Sequence, residues 1–115
     1  MGRLTTHILD TAQGCPAAGV GIRLFALAGE RRQVASTVSN EDGRTDQPLL
    51  DGDAMQSGCY ELEFDVGPYF AASGLATGEP PFLDTVVLRF SVAAGEHYHV
   101  PLLASPWSYS TYRGS

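Results

Sequence analysis

Lysine is absent from this 115-residue chain. All seven basic residues are arginine, set against thirteen acidic ones, for a formal net charge of −6. With that acidic balance and no basic run, nucleic acid and anionic membrane surfaces are poor partners. No apolar stretch approaches the roughly 20 residues that a membrane-spanning helix needs. Met1-Gly2-Arg3 runs straight into an alternating segment, so the expectation is no signal peptide and a cytoplasmic setting. Cysteine is scarce. Cys15 and Cys59 are too few for a disulfide framework or a cysteine metal site, and they read as two reduced thiols, a single bridge being the alternative. There is no internal repeat and no low-complexity tract. The length fits a single domain, residues 1–115, with one modest core.

What is present is short-period alternation broken by turns. Arg3 to Leu9 alternates Leu4, Thr6 and Ile8 against Thr5, His7 and Leu9, as a strand does. Gly14, Pro16 and Gly19 mark a loop. Val20 to Leu27 is a second strand with Val20, Ile22, Leu24 and Ala26 inward, and Gln33 to Ser39 a third. Asn40-Glu41-Asp42-Gly43 is a turn, with Arg44 opening a short fourth strand. Cys59 to Val66 points Tyr60, Leu62, Phe64 and Val66 inward and Glu61, Glu63 and Asp65 to water. Pro68 to Gly74 has the proline-first, glycine-last signature of a short helix. Asp84 to Val92 and His97 to Leu103 are further strands. After Ser105-Pro106, a run from Trp107 to Tyr112 alternates again. About eight short strands with one brief helix predict an all-β, two-sheet antiparallel sandwich.

Two details go beyond that pattern. Ile8-Leu9 and Leu102-Leu103 each present apolar side chains to both faces of a strand. A sheet wet on one side does not do this, so the second face is expected to pack on another subunit. The chain also stops two residues after Arg113 with no loose tail, so the terminus itself is expected to be placed.

The residues able to carry chemistry are His7, His97, His99 and Arg44. His97 and His99 share a strand face with Pro101, and His7 shares one with Thr5 and Leu9. If these strands lie in one sheet, the side chains converge. Three readings compete on residues alone. H-x-H with a distant histidine is a weak metal-ligand pattern, with no carboxylate on that face. Imidazoles near a guanidinium can activate water and stabilise an oxyanion. Or the histidines are satisfied polar groups at a subunit contact.

Particular segments bear on the choice. Leu4-Thr5-Thr6-His7-Ile8-Leu9-Asp10-Thr11 with Gly14-Cys15-Pro16-Ala17, Asp42-Gly43-Arg44, His97-Tyr98-His99-Val100-Pro101-Leu102-Leu103 and Tyr112-Arg113-Gly114-Ser115 together resemble the signatures of the 5-hydroxyisourate hydrolases, the transthyretin-like enzymes of urate breakdown. The resemblance covers the whole chain. Transthyretin shares the S-P-x-S-Y-S-T run but lacks the histidines and the Y-R-G-S ending, so a non-catalytic carrier is the alternative this chain matches less well. The resemblance implies a transthyretin-like (prealbumin-like) sandwich and a homotetramer built as a dimer of dimers. It further implies hydrolysis of 5-hydroxyisourate to 2-oxo-4-hydroxy-4-carboxy-5-ureidoimidazoline in purine degradation, with no metal and no organic cofactor. By the same resemblance, His7, Arg44, His99 and Ser115 match catalytic positions. Ser110, Tyr112, Arg113, Gly114 and His97 are expected to bind substrate, His97 at the rim.

Overall fold

The structure, a computed structural model, describes residues 2–75 and 77–114. The described residues form nine strands, β1 (Arg3–Asp10), β2 (Cys15–Pro16), β3 (Gly21–Ala26), β4 (Arg32–Val38), β5 (Leu50–Asp51), β6 (Gly58–Asp65), β7 (Thr85–Val92), β8 (Tyr98–Ala104) and β9 (Tyr109–Thr111), one α-helix, α1 (Val66–Ala72), and a single 3-10 turn at Gly52–Ala54. One sheet runs β2-β1-β8-β9 with β5 added on β1; the other runs β4-β3-β6-β7. The two-sheet sandwich is the predicted one. Its pairing departs from the antiparallel expectation in one place: β1 and β8 run parallel, Thr5 beside His99 and Leu9 beside Leu103.

The core follows the alternation of the strands. Leu4 and Ile8 of β1, Ile22 and Leu24 of β3, Leu62 and Phe64 of β6 and Leu102 of β8 are all buried. Phe70 of α1 closes one end. Each such side chain contributes roughly 1.5–3 kcal/mol by leaving water. Helix α1 forms where Pro68 falls in its first turn, where backbone N–H groups have no intrahelical partner. It stops at Ser73, and Gly74 follows with φ 85°, the left-handed residue that a helix end takes up readily.

Several sequence expectations are corrected. The fourth strand at Arg44 reduces to a single bridge between His7 and Arg44. The strand pairing there is instead β5, a few residues later, on the start of β1. The run from Trp107 shrinks to β9 because Ser105 organises a tight turn: its Oγ accepts from the N–H groups of Trp107 at 3.2 Å and Ser108 at 3.1 Å. Glu61, expected to face water, is 7% exposed and held between Arg31 and Arg89. Cys15 and Cys59 are both free thiols. Among the described residues no helix is long and apolar enough to cross a membrane.

Candidate active site

The parallel register of β1 and β8 places two short alternations side by side. Thr5, His7 and Leu9 of β1 stand next to His99, Pro101 and Leu103 of β8, all on the face turned away from the core. The His7 and His99 rings are 6.4 Å apart between centroids and tilted by 41°.

Arg44 reaches the same place by turn chemistry. The Asn40 side-chain oxygen accepts from the N–H groups of Asp42 at 2.9 Å and Arg44 at 3.1 Å. Gly43 sits at φ 74°, and its carbonyl accepts from Ile8 N–H at 2.7 Å, which fastens the turn to β1. A Cβ at residue 43 would collide with the Ile8 carbonyl. Glycine is therefore required by both backbone angle and space. Arg44 emerges as the bridge partner of His7, exposed and, among the described residues, in no ion pair.

The electrostatics single out His99. Burial, then the charges of Arg44 and His7, hold its pKa below the usual 6.5. The ring is thus neutral and basic at neutral pH. Its Nδ1 lies 2.9 Å from Thr5 Oγ1. A shallow cavity of about 370 Å³ lined by Arg3, Thr5, His97 and His99 opens on one side of Thr5. A second, of about 240 Å³ and lined by Arg3, Thr5 and Arg44, opens on the other.

His7, Arg44 and His99 are thus brought together, and His97 lines the cavity beside Thr5 and His99. The other sequence candidates scatter. Ser110 is paired with Leu103, at the far end of the face from His99. Tyr112 lies past the end of β9, where alternation no longer governs it. It lines an apolar groove of about 380 Å³ with Val87 of β7 and Tyr98 of β8. Arg113 turns away from the imidazoles: its guanidinium stacks 4.1 Å from the Tyr98 ring centre and donates to Glu96 Oε1 at 3.2 Å and His97 O at 3.1 Å. Gly114 bridges to His99, donating its N–H to the His99 carbonyl at 2.6 Å. Ser115 lies outside the described residues. Arg3 and Thr5 were missed, although they share the parity of His7 and alternation alone would have found them.

A family signature for "HIUase/Transthyretin family" matches residues 4–114. The chain belongs to that family. Within the HIUase/Transthyretin family it is 60% identical over 117 residues to a 5-hydroxyisourate hydrolase of Ralstonia nicotianae, each chain covered in full. A crystal structure of (S)-allantoin synthase matches with a TM-score of 0.95 and 49% identity over 99% of this chain, which spans 44% of that longer one. The 5-hydroxyisourate hydrolase of Klebsiella pneumoniae matches with a TM-score of 0.82 and 34% identity, each chain covered in full.

Proposed function

We propose that the chain hydrolyses 5-hydroxyisourate to 2-oxo-4-hydroxy-4-carboxy-5-ureidoimidazoline, as a single hydrolase domain spanning residues 1–115. The observation that carries this is the convergence of a neutral His99 with His7 and Arg44 on one solvent-facing patch. The full-length likeness to a hydrolase of that name supports it. In the proposed reaction, water attacks the ring amide carbonyl while His99 takes its proton. Arg44 faces the negative charge that develops on the carbonyl oxygen. The C–N bond then breaks, the leaving nitrogen receives a proton from the imidazole pair, and the carbonyl carbon ends as a carboxylate. Arg3, exposed beside Thr5, adds a second cation at the rim where an anionic product would leave. Ser110, Tyr112, Arg113 and Ser115 keep their expected part at a site completed by assembly.

The assembly we propose is a homotetramer, a dimer of dimers, in a cytoplasmic setting. Two features support it. Leu9 and Leu103, in register and half-buried, continue the histidine face as an apolar patch. Val87 of β7, Tyr109 of β9 and Tyr112 just past β9 stand exposed. Neither metal nor organic cofactor enters the scheme, and exhaustive chelation should leave turnover intact. A transthyretin-type carrier would need no basic histidine beside an arginine.

The direct test follows freshly generated 5-hydroxyisourate by its ultraviolet absorbance. Protein should accelerate the decay strongly over the spontaneous rate. An unchanged decay would overturn the proposal.

A further inference from the structure

His99 has two nitrogens, and in the proposed reaction just one of them can be the base. The structure grips the ring on two of its edges. On one, Nδ1 meets Thr5 Oγ1 at 2.9 Å. On the other, Gly114 lies so close that a Cβ added to it would stand 2.8 Å from His99 Cδ2 and 3.1 Å from its Cβ. The Gly114 N–H bond to the His99 carbonyl, at 2.6 Å, holds that contact in place. With Nδ1 engaged and Cδ2 covered, the ring atoms left to face substrate are Nε2 and Cε1.

We infer that Thr5 and Gly114 are positioning residues: Thr5 fixes the His99 tautomer, and Gly114 fixes the rotation of the ring, so that a bare Nε2 faces substrate. The direction of the Thr5 bond rests on the proposed hydrolysis. A base needs its lone pair on the exposed nitrogen, so Nδ1 carries the hydrogen and donates it to Thr5 Oγ1. The threonine hydroxyl, half-exposed and facing both cavities, keeps its own proton for solvent or substrate. Gly114 thereby changes role, from an expected substrate contact to a backbone stop against a side chain. A methyl group there would tip the ring, while the backbone hydrogen bond to His99 would remain. Arg113 serves the same end one residue earlier, because its contacts with Tyr98, Glu96 and the His97 carbonyl hold the segment against β8.

The test uses the full chain labelled with 15N and reads the imidazole tautomers by two-bond 1H–15N correlation, with no substrate present. His99 in the wild type should show hydrogen on Nδ1. Thr5→Val, nearly the same shape without the hydroxyl, should lose that fixed tautomer and lower kcat roughly tenfold with KM little changed. Thr5→Ser should restore both. Gly114→Ala should shift the His99 ring resonances and lower kcat at an unchanged melting temperature. A wild-type ring with its hydrogen on Nε2, or a Thr5→Val protein with the wild-type tautomer and kcat, would overturn the inference. Because the tautomer is read without substrate, that outcome stays separate from a wild-type protein that fails to hydrolyse 5-hydroxyisourate, which would overturn the proposed function instead.

Discussion

On the outer face of the β4-β3-β6-β7 sheet, three arginines interlock with three carboxylates. Arg23 holds Glu63 at 3.0 Å and Asp65 at 2.7 Å. Arg31 holds Glu61 at 3.2 Å and Glu63 at 2.8 Å, and lies 3.6 Å over the Phe25 ring. Arg89 holds Glu61 at 2.8 Å. The register makes these direct cross-strand neighbours, Arg23 opposite Glu63 and Glu61 opposite Arg89. On the outer face of the other sheet, Arg3 and Arg44 are in no ion pair among the described residues, and three imidazoles and two leucines stand beside them. The first face consumes its charges internally. The second leaves its donors and lone pairs open, which costs stability and is what a substrate requires. One arginine can therefore be structural and another chemical in the same protein, and pairing tells them apart where residue type cannot.

Substitutions on the two faces should therefore fail in opposite ways. The largest effect expected is on the open face: His99→Gln should lower kcat by about 10²–10⁴, and Arg44→Met by about 10²–10³, with melting temperatures close to wild type. Kinetics and thermal melts on the same preparations check both, and a large melting change would mean that this face is structural after all. Next comes the chain ending at Thr111. It loses the backbone stop on His99 and the Arg113 clamp but little apolar area, so kcat should drop by about 10²–10³ in a protein that still folds and assembles. Near-normal turnover would show that the terminal residues merely seal an edge. On the paired face, Asp65→Asn should cost ~1 kcal/mol, a few degrees of melting temperature, with kcat unchanged.

Acid should separate the faces more finely. Arg23 beside Asp65, and Arg89 with Arg31 beside Glu61, hold these carboxyls below their usual 3.8 and 4.5. Their stabilisation is therefore complete above those values and is lost as pH falls toward the lower folded ones. His99 has linkage of the same sign, in a higher pH range. Its folded pKa lies below 6.5, so between that value and 6.5 the unfolded chain binds the extra proton and stability falls as pH drops. The acid limb of kcat/KM should accordingly lie below pH 6.5. In Arg44→Met, where one of the charges holding it down is gone, the limb should move up toward 6.5. A pH–rate profile of both proteins checks this, and an unmoved limb would remove Arg44 from the electrostatics of His99.

Much of this division was legible in the sequence, because alternation has a period that burial obeys. Ile22, Leu24, Leu62 and Phe64 were assigned inward by parity and are buried, and Leu4, Ile8 and Leu102, which parity set on one face of their strands, are buried too. The same parity put His7 and His99 on the faces opposite these residues. The neighbours of each strand were not legible. Nothing local in β1 or β8 announces a parallel partner far along the chain, so the meeting of Thr5 with His99 could not be read from either segment. Parity also fails where a strand ends early. Tyr112, which unbroken alternation would set on the same face as Ser110, lies beyond Thr111 in a segment governed by Arg113 and its contacts. Glu61 was assigned to water because carboxylates ordinarily are there; two arginines from other strands and loops overrode that preference.

The parallel seam also has a consequence for synthesis. Thr5 and His99 are 94 residues apart, and the strand between β1 and β9 is β8, which leaves the ribosome long after β1. Until it emerges, β1 carries an open edge along most of its length, a template for pairing with other nascent chains. Closing that edge and assembling the imidazole pair are the same event. A chain interrupted before residue 99 therefore has no partial activity to display, and turnover reports completed β8 docking as directly as any spectroscopic probe of folding.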